Sequence, residues 1–214
     1  LLSRRQRQMC IRDRINAGAI VVASCLASEI SFDTMLDTIR ALCMDPDINL
    51  DKKVYHSEMS HISRNRAIAY LLESKGYIEK NKDVENSLHF YVKMCSLSVT
   101  AESLAGLGLI LANDGIHPDT GKRLLSSQAV KIVKTLMFTC GMYDGSGEFA
   151  VRVGIPSKSG VGGGILSVVD GEMGIGIFGP ALDKKGNSVA GECVLEYMSH
   201  ELHLHMFDPQ RHTL

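Results

Sequence analysis

The sequence has no excess of charge of either sign and no hydrophobic run long enough to cross a membrane. Its 214 residues carry 23 Lys and Arg against 24 Asp and Glu, so nothing indicates a nucleic acid or another polyanion as partner. The apolar stretch at residues 17–27 is interrupted by Ser24 and Cys25 and is followed by Ser28 and Glu29, which argues against a membrane span. With 45% hydrophobic and 22% charged residues, the composition is that of an ordinary soluble globular protein.

The sequence also has no pair of cysteines in CxxC spacing and no clear set of metal ligands. Reduced, buried thiols are the favoured interpretation of its scattered cysteines, which predicts a cytoplasmic protein. Four histidines near the C-terminus lack a ligand geometry, so a solvated helix and tail accounts for them better than a metal site does. We therefore expect neither a metal nor another cofactor. The cysteines are Cys10, Cys25, Cys43, Cys95, Cys140 and Cys193, and the histidines are His200, His203, His205 and His212.

Residues 1–14 differ from the rest of the chain in charge. They contain five arginines and a single acidic residue, Asp13. The rest of the chain is acidic, with 18 basic and 23 acidic residues. A nucleic-acid-binding arm would need interleaved aromatic residues, and a transit peptide would need a cleavage-like segment after it. The run resembles the translation of a sequencing adapter. We therefore interpret residues 1–14 as a non-native basic arm and expect the true N-terminal part to be missing.

From Ile15 to about residue 140 the sequence predicts mostly helices. Asn16, Ser31 and Thr100 are predicted N-caps, and apolar residues recur at helical spacing after them. Gly106 and Gly108 lie within one predicted helix and indicate close packing against a neighbour. The predicted helices span residues 16–26, 31–43, 63–75, 84–95, 100–113 and 127–139.

After the last of these helices the hydrophobic period changes from about 3.6 residues to about 2, which is typical of strands. The sequence predicts strands at 149–153, 165–170 and 173–178, a hairpin turn at Asp170-Gly171, and a final helix from its N-cap Asn187 to about Leu204. Helices, then an antiparallel sheet, then a closing helix predict an α+β protein. We expect one domain at 15–207, with a helical lobe at 15–140 packed against a sheet lobe at 141–207, a cleft between them, and a tail at 208–214.

The segment between Cys140 and Gly164 carries the strongest chemical signal. Lys158 supplies a fixed positive charge and Ser159 a hydroxyl, while Gly160 has no side chain, so that a ligand can lie against its backbone. The N–H of Val161 is then free to point at an oxyanion, and such donors are usually the largest single catalytic effect in acyl transfer. Lys-Ser-Gly alone is a short pattern, and a solvated lysine in a glycine-rich turn is its alternative interpretation.

Further segments accompany this one in the order and spacing of one known family. They are Ile15-Asn16-Ala17-Gly18, Ser57-Glu58 with Arg64-Asn65-Arg66, Tyr91-Val-Lys-Met-Cys95-Ser96, Cys140-Gly-Met-Tyr143, and Lys158-Ser-Gly-Val161. Together they resemble the serine-dependent glutaminases from Ile15 to about Phe207. The resemblance implies a fold like that of β-lactamases and penicillin-binding proteins, hydrolysis of L-glutamine to L-glutamate and ammonia, and a homo-oligomer.

The resemblance also implies roles for single residues. Glutamine suits this set, because its ammonium group needs a carboxylate and its carboxylate needs amide or hydroxyl donors. Taken alone, the asparagines can be helix residues with satisfied amides, the glutamate a surface acid, and Tyr91 a core residue. The implied substrate-binding residues are Asn16, Glu58, Asn65, Tyr91, Tyr143 and Val161, and the implied catalytic groups are Tyr143, Lys158 and the oxyanion-binding N–H of Val161.

In this family the nucleophile is a serine in Ser-x-x-Lys, upstream of the Asn-Ala-Gly segment. It attacks the side-chain amide, a lysine or tyrosine moves the proton, ammonia leaves, and water hydrolyses the resulting ester. Lys158 is assigned electrostatics rather than proton transfer, and Ser159 is not the expected nucleophile. No serine of this chain is followed by a lysine three residues later. We therefore expect the nucleophile upstream of Ile15, an incomplete sheet, and a chain that hydrolyses no glutamine alone.

Other functions stay open at this point. A penicillin-recognising serine acyltransferase or hydrolase of the same fold would use similar motifs, and Ser63-Arg64-Asn65 mimics its middle one. A non-catalytic amino-acid-binding or assembly module is a second possibility. A nucleic-acid-binding function rests only on the arginines of residues 1–14. A fluorescent penicillin label, glutamine binding without ammonia release, and deletion of the arm would separate these possibilities.

Overall fold

The computed structural model describes residues 15–210, so the predicted arm at residues 1–14, Cys10 and His212 lie outside the described residues. The chain divides into two compact units. The first comprises residues up to 41 together with 46–99, and the second comprises residues 42–45 together with those from 100 onward. This division falls near residue 100, whereas the sequence placed the lobe boundary at residue 140.

The first unit consists of helices and one short antiparallel ladder. The helices expected at 31–43, 63–75 and 84–95 are present, and the amide of Thr34 donates to Ser31 Oγ over 3.1 Å, as expected for an N-cap. The last two residues of the helix Phe32–Cys43, at positions 42 and 43, belong to the second unit. The elements are α1 (Ile15–Glu29), α2 (Phe32–Cys43), β1 (Asn49–Leu50), α3 (Lys52–Ser60), α4 (Ser63–Ser74), α5 (Val84–Cys95) and β2 (Leu97–Ser98).

The core of the first unit lies where α1 packs against α5 and α4. Ile20 of α1 and Leu88 of α5 are fully buried there, together with Ala69 of α4. Asn16 is itself helical, within α1 (Ile15–Glu29), so the prediction that Asn16 caps this helix is wrong. Its side chain instead bonds to another helix.

Helix α3 was not expected from the sequence. Its N-cap is Asp51, whose carboxylate accepts the amides of Lys53 and Val54 over 2.8 and 3.1 Å. No residue of α3 is fully buried, and only Tyr55 and Met59, one helical turn apart, pack against the core while partly buried, so the apolar stripe is short. The cap holds this polar segment in a helix that the hydrophobic pattern does not reveal.

The second unit has helices on both faces of a three-stranded antiparallel sheet in the order β3-β4-β5. Ile165 and Val169 of β4 join the core formed with α8 and α9, whereas Leu166 and Val168 join the core formed with α6 and α7. This alternation buries both faces of the central strand. The elements are α6 (Ala101–Ala112), α7 (Ser127–Cys140), a 3₁₀ turn (Tyr143–Gly145), α8 (Ser146–Arg152), β3 (Ser157–Ser159), β4 (Gly164–Val169), β5 (Met173–Phe178) and α9 (Val189–Glu201).

The strand predicted at 149–153 is wrong, because residues 149–152 lie in helix α8 and Val153 is its C-cap. A strand would place Phe149, Val151 and Val153 on one face. In the structure Phe149 and Val153 are buried four residues apart, at 3% and 0% exposure, while Val151 between them is 80% exposed. The alternating pattern therefore arises from one buried helical face and a single solvent-exposed valine.

The first strand of the sheet is instead the polar segment β3. Ser157 and Ser159 are each 1% exposed, and Lys158 between them is exposed. Strands β4 and β5 lie where the sequence predicted them, joined through Gly171 at a φ of 74°. The final helix is capped by Ser188, whose Oγ accepts the amide of Gly191, so the prediction that Asn187 is the cap is wrong by one residue.

Helix α6 packs against the sheet through glycine, which explains why the second unit begins near residue 100. A Cβ on Gly108 would lie 2.7 Å from the Cα of Gly174, and a Cβ on Gly176 would lie 1.8 Å from the carbonyl oxygen of Ala101. A Cβ on Gly106 would meet the carbonyl oxygen of Cys43 at 2.2 Å. The expectation of close packing at Gly106 and Gly108 is confirmed, with sheet backbone as one of the neighbours.

Within residues 15–210 no single helix is long and apolar enough to cross a membrane. Helices α1 and α2 reach that length and composition only when taken together, and they are bent by 113° relative to each other.

Candidate active site

In the first unit the structure brings together the two asparagines implied in substrate binding. Asn16 Nδ2, on α1, donates to Asn65 Oδ1, on α4, over 3.1 Å, and both residues are partly exposed. This bond fixes the two amides relative to each other although they lie 49 residues apart. The Asn65 NH₂ group and the Asn16 carbonyl have no other hydrogen bond among the described side chains. They can therefore bind the polar groups of an amino acid.

Glu58 and Tyr91 also come together in the first unit, around Cys95. The pKa of the Cys95 thiol is raised, first by desolvation and then by the nearby Glu58 carboxylate, while a hydrogen bond from Tyr91 opposes the rise. Glu58 is exposed, and Tyr91 is half-buried on α5. Sequence reasoning missed Cys95 as a neighbour of these residues, although its position one helical turn after Tyr91 indicates the contact.

In the second unit the implied catalytic residues Tyr143 and Lys158 are in contact. Lys158 Nζ lies 4.7 Å from the centre of the Tyr143 ring, within the range of a cation–π interaction, and also donates to the Ser159 carbonyl oxygen. Tyr143 has a φ of 52°, which is uncommon for a residue other than glycine. Strand β3 is held beside it because the Ser159 amide donates to the Gly141 carbonyl over 2.9 Å.

The implied oxyanion donor lies in a turn that directly follows β3. The Gly163 amide donates to the Gly160 carbonyl over 2.9 Å, so Val161 and Gly162 are the two central residues of the turn. Among residues 15–210 the Val161 N–H donates to no acceptor. A Cβ on Gly160 would have only the Gly164 carbonyl oxygen within 4 Å, at 3.7 Å, so the backbone is open on that side.

Ser159 lies in this segment but is not accessible. It is 1% exposed, and its Oγ has no hydrogen-bond partner in the part of the chain that the structure describes. Strand alternation points it to the face opposite Lys158. This burial agrees with the expectation that Ser159 is not the nucleophile.

The histidines near the C-terminus form no metal site within the described residues. No group of three or more His, Cys, Asp or Glu side chains at residues 15–210 is arranged to hold a metal ion. His200 contacts Glu201, and His203 Nδ1 lies 3.1 Å from Asp208 Oδ2. The ring of His205 packs against Gly154.

We expect the thiols to differ widely in reactivity. Burial, and next the carboxylate of Asp45, raise the pKa of Cys43 to about 11, and the pKa of Cys95 is also raised. The thiolate is the reactive form, so these two cysteines hold less of it near pH 8 than an ordinary thiol does. Iodoacetamide followed by peptide mass spectrometry should show the buried Cys43 reacting more slowly than the exposed Cys193. Equal rates for Cys43 and Cys193 in the folded chain, as expected after denaturation, would contradict this.

Comparison with known proteins assigns the chain to a class. The sequence model of the family Glutaminase matches residues 5–207. The glutaminase of Clostridium tetani (strain Massachusetts / E88) is 50% identical over 196 residues, which are 90% of this chain and 63% of the relative. The glutaminase of Clostridioides difficile (strain 630) is 52% identical over 196 residues, again 90% and 63% of the two chains.

A solved structure gives the same result for the fold. The Bacillus subtilis glutaminase YbgJ, in covalent complex with 5-oxo-L-norleucine, matches with a TM-score of 0.83 and 39% identity over 90% of this chain and 68% of that one. The expected α+β, β-lactamase-like fold is therefore confirmed. The chain belongs to the glutaminase family. It spans 63–65% of the length of the first curated relatives that it matches.

Proposed function

We propose that this chain is part of an enzyme that hydrolyses L-glutamine to L-glutamate and ammonia through a serine acyl-enzyme. The observation that carries the proposal is the arrangement in the second unit, where Tyr143 covers Lys158 at 4.7 Å. The turn that follows strand β3 contains the N–H of Val161, which has no acceptor among residues 15–210. A fixed positive charge, a phenol and a free amide are the groups that acyl transfer needs to stabilise an oxyanion and orient a substrate.

Each group has a role in this proposal. A serine Oγ forms a bond to the side-chain carbonyl carbon of glutamine, whose oxygen becomes an oxyanion that accepts the Val161 N–H. A lysine or tyrosine transfers the proton lost by the serine to the nitrogen, the C–N bond breaks, the nitrogen leaves as ammonia, and water hydrolyses the γ-glutamyl ester and restores the serine. Lys158 favours the negative charge that develops. Glu58 binds the substrate ammonium group, and Asn16, Asn65 and Tyr91 bind its carboxylate.

We propose further that the nucleophile lies outside these 214 residues. The family uses a serine in Ser-x-x-Lys, and no serine of this 214-residue chain is followed by a lysine three residues later. The related B. subtilis enzyme forms a covalent complex with 5-oxo-L-norleucine, which supports a covalent route for this family. The 214-residue chain is therefore expected to release no ammonia from glutamine on its own.

The test compares the chain with a joined protein. Fusing Ile15 to the upstream segment of a family member that carries Ser-x-x-Lys should give a protein that releases ammonia and glutamate from glutamine. Replacing the introduced serine by alanine provides the matched control and should abolish turnover. Turnover by the 214-residue chain would refute its inactivity, and an inactive but folded joined protein would refute the proposed reaction.

The same joined protein separates the remaining functions. Covalent labelling by fluorescent penicillin without glutamine turnover would assign it to the penicillin-recognising enzymes. Glutamine binding by calorimetry without ammonia release would assign it to non-catalytic binding modules. We expect reaction with 6-diazo-5-oxo-L-norleucine, the compound with which the B. subtilis relative reacted, and no penicillin label.

A further inference from the structure

Tyr143 adopts a conformation that its surroundings must maintain. Its φ of 52° lies in the left-handed region, where side chains other than glycine are disfavoured. Such a residue keeps this conformation only where neighbouring contacts over-determine it. Two hydrogen bonds come from the same turn, since the Met142 amide donates to Ser146 Oγ over 3.0 Å and Ser146 Oγ donates to the Tyr143 carbonyl over 2.8 Å.

The third contact comes from a loop 45 residues further along the chain. Asn187 Nδ2 donates to the Met142 carbonyl over 3.2 Å, so it holds the peptide bond that joins Met142 to Tyr143. Asn187 is fully buried and Met142 is 1% exposed, so water does not compete for this bond. The Met142 carbonyl also accepts the Gly145 amide over 3.0 Å, within the turn itself. Loss of Asn187 would therefore remove the one bond that ties this buried carbonyl to another part of the chain, which disfavours the present backbone path.

Asn187 is itself fixed by its loop. Asp183 Oδ1 accepts the backbone amides of Lys185, Gly186 and Asn187 over 2.8, 2.7 and 2.9 Å. The Asp183 amide in turn donates to the Asn187 carbonyl over 2.8 Å. These bonds fix the backbone of Asn187, so its side chain is oriented toward Met142 by the loop itself.

We propose that Asn187 is a positioning residue, whose amide group holds the Met142 carbonyl and so keeps the Tyr143 ring over Lys158. The contact itself is structural, and its importance for catalysis rests on the proposed function. Asn187 reaches Tyr143 through one peptide bond, the one between Met142 and Tyr143, whose carbonyl oxygen it binds. The Asn187 Oδ1 has no partner within residues 15–210, so the donor side of the amide makes the connection.

The test uses the 214-residue chain and the resonances of Lys158. Protons above the face of an aromatic ring shift upfield, so the ε-CH₂ group of Lys158 reports the position of Tyr143 in a spectrum of ¹³C-lysine-labelled protein. Lys158→Arg identifies the signal, and Tyr143→Leu shows its position without the ring. We expect Asn187→Ala to lose most of the upfield displacement and to approach the Tyr143→Leu position.

Two variants separate positioning from general destabilisation. Ser188→Ala changes the neighbouring buried residue and removes the side-chain N-cap of α9, but not the bond to Met142. Lys184→Ala changes an exposed residue of the same loop. Both should keep the wild-type Lys158 signal. The proposal is overturned if Asn187→Ala keeps that signal as well, or if Ser188→Ala loses as much displacement as Asn187→Ala does.

A conservative variant covers the case in which Asn187→Ala does not fold. Asn187→Asp has the same shape, but its carboxylate cannot donate to the Met142 carbonyl, whereas its protonated form can. Burial raises the pKa of such a carboxyl, so the Lys158 displacement should be small at high pH and return as the pH falls. An unchanged displacement across this titration would refute the proposal. Because no turnover is measured, this result stands apart from the success or failure of the glutaminase assay.

Discussion

Replacing Val161 by proline in the joined, active protein is expected to lower kcat by about 10²- to 10³-fold, the usual effect of losing one oxyanion-hole donor. Proline removes the N–H and leaves the rest of the turn in place. Val161 is the second residue of a turn closed by the bond from the Gly163 amide to the Gly160 carbonyl, and proline is favoured at that position. The measurement is steady-state ammonia release, with kcat and KM determined separately.

Val161→Ala is the matched control, because it shortens the side chain and keeps the N–H. Its kcat should stay close to that of the parent protein. A similar loss in both variants would mean that the valine side chain matters rather than the amide. An unchanged kcat in Val161→Pro would remove Val161 from the oxyanion site.

Replacing Gly176 by alanine is expected to lower the free energy of unfolding by about 3 kcal/mol or more, the upper range for overpacking. The added Cβ would lie 1.8 Å from the Ala101 carbonyl oxygen and 2.7 Å from the Ala105 amide nitrogen, and both obstacles are backbone atoms. Strand β5 and helix α6 would have to move apart along their contact. Urea denaturation followed by circular dichroism measures the change, since the chain contains no tryptophan to report it by fluorescence.

Gly147→Ala is the control for this experiment. Gly147 lies in helix α8, and a Cβ there would have no atom within 4 Å. Alanine favours a helix over glycine by roughly 0.5–1 kcal/mol, so this variant should be as stable as the parent chain or slightly more so. Equal midpoints for Gly176→Ala and the parent would show that the contact between α6 and β5 can relax.

The helices with a strong apolar stripe could be predicted from sequence, and their ends agree to within a few residues. Helix α5 was predicted at its observed bounds, and in the structure one of its faces is buried and Asp83 caps it. The failures have two physical origins. Helix α3 and strand β3 are mostly polar, so their sequences show no clear hydrophobic period, whereas residues 149–153 alternate like a strand although they form the end of helix α8 and its C-cap.

The site residues were predicted by family resemblance rather than by local pattern. The structure pairs Asn16 with Asn65 and places Tyr143 beside Lys158, while the roles of these residues in substrate binding and catalysis stay predictions. The sequence predicted Asn187 only as a helix N-cap and missed its contact with Met142, because Met142 lies 45 residues away and the bond ends on a backbone carbonyl. A single sequence carries no mark of such a contact, since any residue type at position 142 offers the same acceptor.

The glycine contact between α6 and β5 also limits how this unit can recover from mutation. The Ala101 oxygen that blocks a side chain at Gly176 belongs to the main chain, which every amino acid shares. No second substitution at residue 101 can make room for it. A genetic search for suppressors of Gly176→Ala should therefore return reversion to glycine or stabilising changes elsewhere, and no compensating partner across the contact.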